Sequence, residues 1–380
     1  MEVIFFISAA IIFYAYIGYP LVLMFLCRKL AEPAHESREL DVSEFPEVTV
    51  VLAAYNGAQR IRARLDNLLA TDYPLEKLHI IMVSDGSTDN TVAVARDYDF
   101  PRLSVLEQQT NQGKAAALNL AMAQVKTPLV AFADLRQDFA ADALVQMCRH
   151  FGDETIGAVT GNLMIEQNQS DGASKDPGLY WKYEKAIRHA EGQLNSVVGV
   201  TGAIYMIRSH LFTPLQQHTI LDDVYTPMCI VKAGKRVVMA NKALAFDSSS
   251  HSVKEEFGRK VRTLAGNYQL MKLIPWINNP FKNPIFWQWF SHKVCRLLVP
   301  FALILLFAAC MVLQEMIFSL LLALQLAFYA CAYYGYKKLV RGKNAGIFNV
   351  PATFAILNIA AFIALFKHLF STPEKLWKKR

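Results

Sequence analysis

The chain has 380 residues, 39 Lys and Arg against 32 Asp and Glu for a formal charge of +7, and 53% hydrophobic residues. That apolar share exceeds what an ordinary soluble domain requires and argues against a purely soluble protein. The positive excess flanks the apolar segments, where anionic headgroups attract it, so membrane lipids rather than nucleic acid are the expected partner. Cys27, Cys148, Cys229, Cys295, Cys310 and Cys331 are scattered without CxxC spacing, which argues against a zinc site or a disulfide framework.

Residues 3–26 form a nearly uncharged run, long enough to cross a hydrocarbon core of roughly 30 Å as a helix. With no basic segment before it and no small-x-small site before Arg28-Lys29, the run reads as an anchor (1–29), not a cleaved leader. Residues 30–46 are polar and acidic, a linker. From Val48 short apolar runs alternate with helical patterns, the signature of a parallel sheet with crossover helices. Strands are predicted at 48–53, 79–83, 103–107 and 129–133, and helices at 58–69, 90–98 and 114–124.

In such sheets ligands bind beyond the carboxyl ends of the strands. Those ends carry Ala54-Tyr55-Asn56, Asp85-Gly86-Ser87-Thr88-Asp89, Asn111-Gln112-Gly113-Lys114 and Asp134-Leu135-Arg136. Carboxylates, amides and a lysine along one edge suit a nucleotide diphosphate. Taken alone, Asp85–Asp89 reads equally as a turn plus helix cap, and Asp222 or Asp223 as the cap of a helix running to Gly234. The first strand is followed by Ala54-Tyr55-Asn56-Gly57 and no GxGxxG, against a dinucleotide oxidoreductase.

Beyond the domain (47–274), 275–296 holds Trp276, Phe281, Phe286, Trp287 and Trp289, an aromatic density typical of the membrane interface. Three further apolar stretches follow at 297–313, 317–336 and 347–366, within a transmembrane region of 297–368 and before a basic tail, 369–380. Arg28, Lys29, Lys293, Arg296 and the Lys337–Lys343 loop place 28–295 in the cytoplasm by the positive-inside rule. The tail, with Lys375, Lys378, Lys379 and Arg380, breaks that pattern, so either the last segment is re-entrant or interfacial or the rule fails there.

These motifs together resemble the inverting family 2 glycosyltransferases of GT-A fold, the group that includes cellulose, chitin and hyaluronan synthases. The resemblance runs from about Val48 to Leu270 and takes in the flanking membrane segments. It implies an α/β GT-A domain on a multi-pass inner-membrane protein. It further implies a nucleotide-sugar donor, chiefly a UDP-sugar, bound by Ala54, Tyr55, Asn56, Asp85, Lys114, Asp134 and Arg136. Gly199–Tyr205, with Gly202, resembles the segment near the acceptor pocket. Leu221-Asp222-Asp223-Val224 stands in place of the Glu-Asp catalytic motif, which makes Asp223 the general base beside Asp222.

Two departures stand out. Where the family has Asp-x-Asp to bind a divalent cation, this chain has Asp134-Leu135-Arg136, so Mg²⁺ or Mn²⁺ is expected with Asp134 as the remaining carboxylate. The Gln-x-x-Arg-Trp motif of processive synthases appears as Arg259-Lys260-Val261-Arg262-Thr263, which keeps Arg262 for the diphosphate, leaves Arg259 beside it, and loses the Trp. A basic helix on lipid headgroups is the alternative reading of that cluster. The acceptor is a growing polysaccharide, with export proteins as further partners, or else a polyprenyl- or lipid-linked acceptor receiving one sugar. A silent sugar-nucleotide-binding subunit is the remaining reading.

Overall fold

The computed structural model describes residues 1–30, 40–166, 179–248 and 253–371. The N-terminal apolar run forms α1 (Glu2–Phe13) and α2 (Tyr19–Leu30), joined without a break by a π-turn at Tyr14–Gly18. Then come β1 (Val48–Ala54), α3 (Ala58–Leu69), β2 (Leu78–Asp85), α4 (Thr91–Arg96), β3 (Leu103–Gln108), α5 (Lys114–Met122) and β4 (Leu129–Asp134). Each of these lies where the apolar rhythm predicts it, to within a few residues. The sheet continues with β5 (Asp138–Phe139), β6 (Ile156–Glu166), β7 (Ile204–Arg208) and β8 (Arg236–Ser248), interleaved with α6 (Ala143–Cys148), α7 (Leu179–Leu194) and α8 (Asp222–Lys232).

Strand order is β3-β2-β1-β4-β7-β6-β8-β5. The first four strands are parallel, β7 runs antiparallel to β4 and β6, and β6 pairs parallel with β8. This is the mostly parallel, Rossmann-like sheet of a GT-A domain. Helices cover both faces, which is why the central strands are apolar almost continuously. Val48, Val50 and Leu52 of β1 pack toward Ile61, Leu65 and Leu68 of α3, while Val51 faces the side of α5 and α8. The order reverses between β1 and β4, so the crevice for a ligand opens at their carboxyl ends.

After α9 (Val253–Leu273) come α10 (Phe286–Trp289), α11 (Cys295–Val312), α12 (Met316–Val340) and α13 (Asn349–Phe370). Among the described residues four helical stretches are long and apolar enough to cross a membrane: Glu2–Lys29, Phe286–Val312, Met316–Val340 and Gly346–Phe370. The last takes an unusual course. Its start meets the end of α12, where Tyr334 and Phe348 lie edge to face at 4.9 Å, and its end returns to α9, where His368 stacks on Tyr268 at 5.7 Å. Both ends of α13 thus lie toward the domain, as a re-entrant or interfacial segment requires. The basic tail residues from Lys375 onward fall outside the described residues.

Polar contacts tie the helical bundle to the domain through α7. The Tyr19 hydroxyl donates to Glu191 at 2.6 Å, and His292 stands between Glu191 at 2.7 Å and Glu184 at 3.1 Å. Arg296 pairs with Glu184, and Trp287 donates its indole N–H to the Tyr14 hydroxyl at 3.0 Å. The aromatic segment before α11 divides its roles. Phe281 is 97% exposed, as an interfacial residue should be, but Trp289 is fully buried in the domain core with its N–H on Asn278 at 3.3 Å. Aromatic density reads the same from sequence whether it faces lipid or core. Trp289→Ala should therefore destabilise the fold by roughly 3–5 kcal/mol, seen as a lowered unfolding midpoint of the detergent-purified chain, whereas Phe281→Ala should leave that midpoint unchanged.

Candidate active site

The loops after β1, β2 and β4 converge at the crevice. Ala54 is buried and contributes backbone only, while Tyr55 is about half exposed. Asn56 adopts φ 49°, a left-handed conformation that Asn tolerates, and its Oδ1 accepts from the Thr88 N–H at 2.8 Å, joining the first two loops. Asp85 accepts from the Gln112 and Gly113 N–H groups at 2.8 and 2.9 Å. Those bonds set the start of α5 and hence Lys114. The approach is close enough to require glycine next door: at Gly86 (φ 66°) a Cβ would fall 2.4 Å from the Asn111 nitrogen.

Lys114 occupies the centre. Its Nζ lies 3.0 Å from Asp134 Oδ1 and 3.2 Å from Asp222 Oδ2. Burial alone would lower its affinity for the proton, but the Asp134 and Asp222 carboxylates outweigh burial and hold the ammonium well above its usual range. Behind this group Tyr205 of β7 stacks on Phe132 at 4.5 Å, and burial together with the charge of Asp222 keeps its phenol strongly protonated.

Asp223 follows on the first turn of α8. Burial first, and then the Asp222 charge, push its carboxyl up to about 6, against the pull of Lys114, Lys293 and Arg188. Its Oδ1 is buried without a hydrogen-bond partner. The 199–202 loop lies against it: Val200 N–H donates to the Asp223 carbonyl at 2.8 Å, and a Cβ at Gly202 would sit 3.3 Å from the Asp223 Cβ. Arg262 of α9 faces the same carboxylates. Burial and Arg259 lower its proton affinity, while Asp223, Asp222 and Asp134 raise it. Arg259 itself pairs with Glu256 one turn back along its own helix.

The residues therefore gather as the sequence led one to expect, with Asp85, Lys114, Asp134, Asp222, Asp223, Gly202 and Arg262 around one crevice. Arg136 takes a different partner. Its guanidinium pairs with Asp247 of β8 at 2.5 Å, and Gln137 donates to the same Asp247 oxygen at 3.0 Å. Two residues unmarked in the sequence thus matter here: Asp247, and Arg188 of α7, which donates to the Gly199 carbonyl at 2.9 Å and to Thr201 Oγ1 at 3.3 Å. The spacing of Glu184, Arg188 and Glu191 along one helical face was the available signal for the latter.

The donor set differs from the metal site that the resemblance implies. Asp134 is held by an ammonium, the second carboxylate position carries a guanidinium, and among the described residues no group of three His, Cys, Asp or Glu is placed to hold a metal ion. These residues do not fit a two-carboxylate metal site. The Asp247 carboxylate, 10% exposed, would be left buried and unpaired without Arg136. Arg136→Ala should therefore lower the unfolding midpoint of the purified chain, and adding Asp247→Asn to it should recover most of the loss.

The family model described as Glycosyl transferase family 2 matches residues 49–212. The poly-beta-1,6-N-acetyl-D-glucosamine synthase of Staphylococcus aureus (strain COL) is 32% identical over 154 residues, 39% of this chain and 36% of that protein. The synthase of the same name from Staphylococcus epidermidis is 32% identical over 127 residues, 32% of this chain and 30% of that protein. These matches span about a third of the length of the curated relatives. Mannosyltransferase PcManGT from Pyrobaculum calidifontis, solved in complex with GDP-Man and Mn²⁺, shares the fold across 97% of this chain and 99% of its own, with TM-score 0.73 at 23% identity. Residues 49–212, which carry Asp85, Lys114 and Asp134 at or after the ends of their strands, are thus similar to the Glycosyl transferase family 2 domain, on a GT-A fold.

Proposed function

We propose that the chain transfers a hexosyl or N-acetylhexosaminyl group from a UDP-sugar to a hydroxyl of a glycan acceptor at the membrane surface, with inversion and with Asp223 as general base. The observation that carries this reading is the Asp223 carboxyl. It is pushed up to about 6, and its Oδ1 is buried without a hydrogen-bond partner at the mouth of a crevice lined by Lys114 and Arg262.

An acceptor hydroxyl is a weak nucleophile near neutral pH, so the base must take its proton as the new bond forms. The acceptor oxygen attacks the anomeric carbon from the face opposite the nucleotide, and its proton passes to Asp223 Oδ1. The bond from that carbon to the phosphate oxygen breaks, and the nucleoside diphosphate leaves with the electron pair. One displacement inverts the anomeric centre. Lys114 and Arg262 meet the charge that builds on the diphosphate, and Arg136, held on Asp247 just past the end of β4, is a further cation on that edge. Lys114 reaches the phosphate by exchanging part of its contact with Asp134.

A growing polysaccharide is the acceptor favoured by the likeness to the staphylococcal synthases. The alternative, one sugar added to a lipid-linked acceptor, draws support from Thr263 in the place of the channel Trp and from the return of α13 to the domain, which leaves few helices to enclose a channel. On either reading Arg28, Lys29 and the Lys337–Lys343 loop support a domain on the cytoplasmic side of the plasma membrane.

Purified protein should release nucleoside diphosphate from one donor in a panel of UDP-sugars and GDP-mannose. Asp223→Asn should cut kcat by roughly 10²–10⁴-fold while donor binding persists. Because the base works only when ionised, kcat/KM of the wild type should fall as pH drops through about 6. In EDTA the turnover should remain, since the cations of the site are side chains. Nucleotide binding without turnover on any donor or acceptor would instead support the silent-subunit reading, and full activity of Asp223→Asn would remove the assigned base.

A further inference from the structure

Lys114 and Arg262 account for the charge on the donor side of Asp223, yet Arg188 and Lys293 also act on its carboxyl. Arg188 and Lys293 belong to a polar cluster where α7 meets the start of the span Phe286–Val312. In that cluster the carboxylates are already committed. Glu184 takes Arg296 and His292, and Glu191 takes His292 and Tyr19. Arg188 donates hydrogen bonds to neutral oxygens, the Gly199 carbonyl and Thr201 Oγ1. Lys293 is partly buried and makes no hydrogen bond or ion pair among the described residues. Glu184 and Glu191 act on Lys293 only from beyond hydrogen-bond distance, and a half-buried ammonium whose N–H groups lack acceptors favours an anion that completes it.

We propose that Arg188 and Lys293 form the phosphate site of a lipid-anchored acceptor, holding its phosphate on the membrane side of Asp223 while the acceptor hydroxyl meets the base. The placement fits such a ligand. Lys293 follows Trp287 by six residues near the domain-facing end of an apolar helical stretch, where aromatic and basic side chains suit lipid headgroups. Arg188 also fixes the 199–201 loop that lies on Asp223, so the phosphate and the base share one support. This assignment rests on the transferase reading above in its lipid-linked form, and it selects that acceptor class over the free polysaccharide. Two sources offer the same chemistry, a prenyl-phosphate carrier and a phospholipid headgroup.

The test uses the full chain in phosphatidylcholine nanodiscs, with farnesyl phosphate, farnesyl diphosphate and farnesol as probes, and a parallel set of discs containing phosphatidylglycerol. The prenyl phosphates should bind at least about tenfold more tightly than farnesol. Lys293→Gln should abolish that preference and Lys293→Arg should retain it. UDP or GDP should bind both variants within about twofold of wild type, which also shows that they fold. Competition by phosphatidylglycerol would identify the headgroup as the source, and its absence the prenyl carrier. Prenyl phosphates and phosphatidylglycerol binding no better than their neutral counterparts, or Lys293→Gln binding them as wild type does, overturns the phosphate site. A wild type that binds neither UDP nor GDP overturns the transferase reading itself.

Discussion

One ammonium group allows the carboxylates of this crevice to coexist. Asp134, Asp222 and Asp223 come from two separate elements, and bringing them together out of water would drive protons onto them if nothing intervened. Lys114 lies within 3.2 Å of the first two and also acts on the third. The geometry of Lys114 depends in turn on Asp85, whose oxygens hold the two amides just before α5. A chain of constraint therefore runs from the end of β2 through the turn into α5 and on to the start of α8. Asp223 stands at the edge of this arrangement, and burial with the Asp222 charge pushes its carboxyl up to about 6.

The other half of the molecule shows the same economy at the bilayer. Between apolar helices the hydrophobic effect supplies little adhesion, so polar contacts must fix how the domain sits on its spans. Tyr19, Glu191, His292, Glu184 and Arg296 do this across α7. Because α7 also carries Arg188, the helix that docks the domain onto the membrane is the helix that supports the loop on Asp223.

Much of this was legible in the sequence, for a physical reason. Parallel strands buried on both faces appear as apolar runs, and the helices between them start at recognisable turns, so β1 to β4 and α3 to α5 stand where the pattern puts them. The site residues at those strand ends were legible for the same reason. The antiparallel extension was not. β6 and β8 pair with register shifts, and β8 contains Asn241 and Lys242 within its run, so neither has a clean period. Asp247 and Arg188 acquire meaning only through partners supplied by tertiary structure, Arg136 across the sheet and the 199–201 loop beside α7. Nothing local to Asp247 announces its partner, and the spacing of Glu184, Arg188 and Glu191 marks a helical face without pointing to the loop it meets.

The return of α13 to the domain changes what the count of apolar helices implies. Among the described residues four helical stretches are long and apolar enough to cross a membrane, yet the end of the last, at His368, lies on Tyr268 of α9. α9 is also the helix that carries Arg262. The apolar bundle and the crevice therefore share a wall, and α13 bears on both.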